Sequence, residues 1–538
     1  MFSASLRRRL PLVFVLIGIG ITTFFIARTL IPRAAVLWDE AVFLLWSYKI
    51  YEAIRAFNLA SLGQIAYGQV EYPPLQSLLL GIPLSFIGFS IEKARLVGLG
   101  WFIAAGILVY ILACRVAGKH KSTTGLLATF LFLTSPLILY HASVAMKEMM
   151  GAALSLFTIL LYITATKRNR PIFYMLTSIG LVALFLTKYH YSAFIGIGIL
   201  IEFCISLLLV KHKSASLRGH ALIFVPLLVV ILLWIYIPVD RSAKIMEIIA
   251  NKTLSYTGDM VDPMTYVLFY PRSVVYFYAI SPAVGILLIT AIGMTIKNLK
   301  NSSIRLLWIV VIVNMILVGT HVENIQDRYI FTTMPFLFIL AALGITETVD
   351  RLLRIQKPRV RVAFALAAIL FLYHLSVHLV RLPSQVYGAS AQSLHGLTFD
   401  QTDYTDHWFF YDTSRWPKKL PGPNDERARD VLDFIVRNVE ATKPIQVAGV
   451  ANAFSPDYVN LKFALTREHT SSEILYPSYV VTVEVLPSSR HNNLDFQKMV
   501  AWHISEIRAI ERDPTLIRMS GKLFNELGVY VTIYTKKS

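Results

Sequence analysis

Cysteine is almost missing from this chain, with two residues in 538. Cys114 and Cys204 each fall inside an apolar run, which excludes a disulfide framework and a thiolate metal centre. Charge is scarce too, at 16% of residues, where soluble domains carry about a quarter. Acids are the scarcer sign, 33 against 51 bases, for a net charge of +18. In a soluble chain that excess points to nucleic acid. Here Lys and Arg stand in short clusters between apolar runs, the positive-inside pattern of a membrane protein. Also absent are a glycine-rich strand-turn-helix fingerprint for a nucleotide, an HExxH pair and a GxSxG elbow. Neither an internal repeat nor a low-complexity tract is found.

What fills the chain is apolar: 55% hydrophobic residues and a mean hydropathy of +0.58. Roughly 20 such residues span a bilayer. Arg7, Arg8 and Arg9 ahead of the first run look like the start of a signal peptide, but no small-residue cleavage site follows, so the run reads as a retained anchor. Basic clusters recur at Arg115/Lys119/Lys121, Lys167/Arg168/Arg170, Lys211/Lys213/Arg218, Lys297/Lys300/Arg305 and Arg351–Arg361. If all face the cytoplasm, each interval between them holds an even number of crossings. The intervals then take paired runs near 122–140 and 149–166, 172–187 and 191–210, 221–239 and 273–296, and 306–320 and 329–347, with a last run at 362–380 exporting the C-terminus.

The first interval holds three runs, near 10–30, 73–90 and 96–114. The run at 73–90 is the shortest and carries Pro73, Pro74 and Pro83, so it is read as a re-entrant helix that dips and returns. The expected fold is a polytopic α-helical membrane protein of about 11 crossings plus that re-entrant helix, followed by a soluble α/β domain. The membrane domain is expected at 1–382, with a first outer loop at about 31–95, a linker at 383–420 and an extracytoplasmic α/β domain at 421–538. In that last part strand-like runs stand at 445–450, 479–485 and 528–534, with a helix near 494–510.

This topology gathers Asp39, Glu40, Glu71 and Glu148, with Lys188, His190 and Arg328, on one face of the membrane. Carboxylates held at a lipid surface are a functional-site hypothesis. Carboxylates with dispersed cations suit displacement at a sugar anomeric carbon with a phosphate leaving group. One acid takes the proton of the acceptor hydroxyl, while Lys and Arg stabilise charge on the departing phosphate. Other readings of the same residues stay open. Asp39 and Glu40 would also complement a helix N-terminus, Lys188 and His190 would also serve as interfacial anchors, and Glu202, inside a span, reads as a buried group bonded to a neighbouring helix.

Four stretches carry a family resemblance: W-D-E-A at 38–41, E-Y-P-P-L at 71–75, the run T-S-P through K-E-M at 134–149 with L-T-K at 186–188, and D-R-Y-I-F-T-T-M-P at 327–335. In order and spacing they resemble the motifs of GT-C glycosyltransferases of the protein O-mannosyltransferase and lipid A aminoarabinose transferase type. The resemblance implies a multi-pass enzyme of the inner (plasma) membrane and cell envelope. It would transfer a hexose or pentose from a polyprenyl-phosphate donor to a lipid, glycan or protein acceptor on the extracytoplasmic face, with inversion. It assigns Asp39 as base, with Glu40 and Glu148 as further catalytic acids. Arg95, Lys188, His190, Arg328, Tyr329, Glu71 and Tyr72 would bind substrate, and Glu71 and Glu148 would hold a divalent metal ion if one is used. The second motif departs from the family, which carries Asp where this chain has Lys147-Glu148. The rival readings are a polytopic transporter, for which internally repeated halves would be expected, and a non-catalytic glycan-binding membrane protein.

Overall fold

The computed structural model describes residues 4–31, 38–69, 72–118, 120–209, 213–237, 242–243, 282–321, 327–354, 369, 372, 431, 434–435, 437–438, 445–449, 479–485, 507–524 and 529–536. The described helices are α1 (Ala4–Phe25), α2 (Trp38–Arg55), α3 (Leu59–Gly68), α4 (Leu75–Ile87), α5 (Ile91–Val116), α6 (Lys121–Leu133) and α7 (Pro136–Ser143). They continue with α8 (Lys147–Arg168), α9 (Pro171–Thr187), α10 (Tyr189–Leu209), α11 (Lys213–Tyr236), α12 (Pro282–Met294), α13 (Ser302–His321) and α14 (Met334–Arg354), the last preceded by a 3-10 turn at Asp327–Thr333.

The protein is an integral membrane protein. Among the described residues six helices are long and apolar enough to cross a bilayer, or seven if α6 and α7 form one broken span. The run read as a single crossing at 122–140 is that broken pair, bent by 63°. Pro136 causes the break: it stands in the first turn of α7, where its missing N–H costs nothing, and it denies α6 a continuation. The re-entrant candidate is α4, 13 residues long and so about 20 Å, against a hydrocarbon core of about 30 Å. The run proposed at 362–380 lies outside the described residues apart from Ile369 and Leu372.

Burial separates central helices from peripheral ones. The spans containing α14 and α8 are 83% and 72% buried, whereas those of α1 and α11 are 17% and 22% buried and present their apolar surface outward. Phe102, Phe132 and Phe338 are fully buried, with Phe102 and Phe132 stacked at 5.5 Å and Phe338 edge-on to Phe132. Several hydroxyls on apolar helices return to their own backbone, as Thr158 to Leu154, Thr177 to Phe173 and Thr187 to Ala183, so each is satisfied within its own helix. Gly344 permits the closest crossing: any Cβ at that position would overlap the Ala291 carbonyl of α12.

The C-terminal sheet has strands β1 (Ile445–Gly449), β2 (Tyr479–Val485), β3 (Leu516–Phe524) and β4 (Val529–Lys536) in the order β1-β2-β4-β3. The β1–β2 pair is parallel and the other two pairs are antiparallel. Val481, Val531 and Ile533 are buried, as are Val431, Ile435 and Ile507. β3 has no counterpart in the sequence reading. Arg518, Ser520 and Lys522 alternate with Ile517, Met519 and Leu523 along it, and its register slips between Arg518 and Ser520. An edge strand tolerates such a slip, because among the described residues one side of it pairs with no other strand.

Candidate active site

Glu40, in the first turn of α2, is fully buried and accepts three hydrogen bonds. Arg95 Nε reaches Oε1 at 2.8 Å and Nη2 reaches Oε2 at 2.7 Å, a bidentate fork. The backbone N–H of Ala145 donates to Oε1 at 2.7 Å. Arg95 is 2% exposed and spends its third nitrogen on the carbonyl of Ile31 at 3.1 Å. One ion pair therefore fastens the start of α2, the start of α5, the end of the first span and the turn before α8. A buried charge persists in lipid only when matched, and here both carboxylate oxygens and all three guanidinium nitrogens are engaged.

Lys147 is the second fully buried cation at this end of the bundle. Its Nζ donates to the carbonyl of Pro73 at 3.1 Å and lies 4.6 Å from the Phe43 ring centre and 4.8 Å from that of Tyr72. The two rings meet edge to face at 5.1 Å, so the ammonium is desolvated against two π-faces. Gln76 adds a hydrogen bond to the carbonyl of Ala145 at 2.8 Å. The Tyr-Pro-Pro turn is thus sewn to the 145–148 turn on one side, as Glu40 is on the other.

Glu148, 1% exposed, faces Lys188 at 3.4 Å. Lys188 stands at the break between α9 and α10, and its Nζ also lies over Tyr191 at 5.2 Å and over Tyr329 at 5.1 Å. His190 meets Tyr329 edge to face at 5.8 Å. The 3-10 turn carrying Tyr329 is held by Asn314, which donates to the Tyr329 carbonyl at 3.4 Å and accepts from Thr333 at 3.3 Å. Gly151 lets this cluster close, because a Cβ there would collide with the Tyr191 ring.

The structure therefore brings Glu40 to Arg95, and Glu148 to Lys188, Tyr329 and His190, at the ends of α2, α5, α8, α10 and α14 that share one face. Tyr72 lies on the same face against Lys147. Asp39 is the second residue of α2 and Arg328 directly precedes Tyr329 in the 3-10 turn; both are placed by their backbone alone. Glu71 lies outside the described residues. Among the described residues no three His, Cys, Asp or Glu side chains come together as a metal site, and Glu148 is engaged by Lys188.

No protein-family model matches the sequence, and no curated protein sequence matches it. Solved structures do. ArnT from Cupriavidus metallidurans bound to undecaprenyl phosphate superposes with a TM-score of 0.55 at 12% identity, covering 99% of this chain and 98% of that one. Its apo state gives 0.55 at 13% identity, with 97% of each chain covered. The chain has the GT-C fold. An oligosaccharyltransferase from Archaeoglobus fulgidus, in complex with an inhibitory peptide and a dolichol-phosphate, aligns at a TM-score of 0.49 and 14% identity over 75% of this chain and 60% of that one.

Within this GT-C chain the sequence reading names Glu40 and Arg95 separately and misses that they are partners, because they stand 55 positions apart. It also passes over Phe43 and Gln76, and treats Lys147 only as a departure from a motif. A signal for Phe43 is present: it stands three residues after Glu40, and residues three and four apart share a helix face.

Proposed function

We propose that this protein is a membrane glycosyltransferase that moves a sugar from a polyprenyl-phosphate carrier to a hydroxyl or phosphate of a lipid, glycan or protein acceptor. The reaction takes place on the extracytoplasmic face. Asp39 removes the acceptor proton, and the acceptor oxygen attacks the anomeric carbon from the side opposite the phosphate. The carbon–oxygen bond to phosphate breaks as the new one forms, so the configuration inverts and the polyprenyl phosphate leaves with the electron pair. Lys188, at the break between α9 and α10, and Arg328, in the turn before α14, stabilise the charge growing on that phosphate.

The observation that carries this reading is the convergence of Glu148, Lys188 and Tyr329 beside the Glu40–Arg95 fork, in a chain of GT-C fold whose neighbour ArnT binds undecaprenyl phosphate. The fork also assigns roles. Glu40, buried and engaged by Arg95 and by the Ala145 N–H, is an anchor. Asp39, the neighbouring residue at the start of α2, is the acid left to take the proton. Glu71 joins Glu148 on the acceptor side, and the C-terminal α/β domain shields or presents the acceptor.

The test is transfer of labelled sugar from a panel of polyprenyl-phosphate donors by the purified chain in lipid vesicles. Asp39→Asn is expected to lose about 10²–10⁴ in rate with unchanged thermal unfolding. A folded Asp39→Asn protein at full rate removes Asp39 as the base. If no donor is turned over and added polyprenyl phosphate gives no thermal stabilisation of the wild type, the whole reading fails and a carrier role replaces it.

A further inference from the structure

The far end of the bundle holds an unassigned feature. Two clefts, of about 470 Å³ and 580 Å³, meet at Val116, Gly118 and Asn301. Their walls bring together members of four of the basic clusters spread along the sequence: Arg115 with Lys121, Lys167, Lys297 with Lys300, and Arg351 with Arg354.

The two lobes differ in how charge is matched. In the larger lobe Lys297 pairs with Glu347 at 3.3 Å, His120 with Asp350 at 3.4 Å, and Arg354 with Asp350 at 2.6 Å. The smaller lobe is lined by Arg115, Lys121 and Lys167 with no carboxylate. Among the described residues none of those three forms an ion pair, and Arg115 and Lys121 both lie close enough to repel the Lys167 ammonium. A positive-inside bias or a helix dipole rewards each cation singly; neither requires three of them to converge on one hollow. An anion placed there removes the repulsion.

The wall beside these cations is apolar and faces outward. Ile111 stands one turn before Arg115 on the same face of α5 and is 41% exposed, a position suited to an acyl chain beneath a charged head. Arg115 and Lys167 each lie one residue from the end of a membrane-crossing helix, at the depth of lipid phosphates. We infer that the smaller lobe binds the phosphate headgroup of an anionic phospholipid, on the face opposite the candidate active site.

Native mass spectrometry of the full chain, titrated with phosphatidylglycerol against phosphatidylcholine, tests this. The variant Arg115→Gln/Lys121→Gln/Lys167→Gln is expected to bind phosphatidylglycerol more weakly by about fivefold per cation, so roughly 100-fold in all. Binding of phosphatidylcholine should be unchanged. Lys297→Gln/Glu347→Gln, in the matched lobe, should bind phosphatidylglycerol like the wild type. Equal phosphatidylglycerol affinity in the triple variant and the wild type overturns the proposal. So does displacement of the lipid by millimolar inorganic phosphate, which would make the lobe a site for free anions. All three cations are exposed, so the triple variant is expected to elute as the wild type does in gel filtration. Should it aggregate, the three single variants replace it, each expected at about a fivefold loss.

Discussion

The two ends of α5 carry arginines with opposite fates. Arg95 and Arg115 lie about 30 Å apart along one helix, at 1.5 Å per residue. Arg95 is 2% exposed and locked in a fork with Glu40; Arg115 is exposed and has no ion-pair partner among the described residues. Helix α8 repeats the pattern, with Glu148 buried against Lys188 at its start and Lys167 exposed near its end. The difference is one of solvation. A charge taken out of water is stable only where partners sit at fixed positions, so burial forces geometry, and geometry is what a reaction centre needs. A charge left in water carries no such demand and acts by attraction at a distance.

The sharpest way to break this comparison is to treat both arginines alike. Arg95→Met leaves Glu40 buried without its cation and is expected to destabilise the protein by about 3–5 kcal/mol, read as a fall in thermal unfolding temperature in detergent. The double change Glu40→Gln/Arg95→Met should recover much of that loss, since the stranded charge goes with its partner. A single Arg95→Met as mild as a surface change would mean the fork is not what holds the four segments together.

A smaller effect is expected at Gly151. Gly151→Ala forces the Tyr191 ring aside and should cost about 1–3 kcal/mol through overpacking. It should also slow sugar transfer, because the displaced ring is one of the two aromatic faces under Lys188; a stability loss with an unaltered rate would separate Tyr191 from the reaction. The smallest effect belongs to the far end. Arg115→Gln should shift stability by no more than about 0.5 kcal/mol, measured in the same unfolding assay. A loss comparable to that of Arg95→Met would erase the distinction between the two ends.

Much of the membrane domain was readable because a span is an unambiguous signal: the runs near 10–30, 96–114, 149–166, 191–210 and 329–347 all fall on long apolar helices. Of the six basic clusters expected on one face, four have members that meet at the far clefts. Glu202 was also legible: it is buried and bonded by Arg305 of a neighbouring helix at 2.7 and 2.8 Å. The bend at Pro136 was hidden by uniform hydrophobicity on both sides of it. β3 was legible and passed over: Ile517, Met519 and Leu523 alternate with Arg518, Ser520 and Lys522, the period-2 signal of a strand. Asp39 and Glu40 were named from local pattern and Arg95 from the family resemblance, but the pairing of Glu40 with Arg95 is a tertiary fact. No spacing along the chain encodes that Glu40 meets Arg95.

The burial of Lys147 gives the molecule a built-in ruler for sidedness. Its amine is walled in by Phe43, Tyr72 and the Pro73 carbonyl, so acylating reagents spare it whichever compartment they are added to. Lys121 and Lys167 have no such shelter. Peptide mapping after exposure of sealed vesicles to an impermeant succinimidyl ester from one compartment and then the other thus reports, against an internal blank, which leaflet the open cations address.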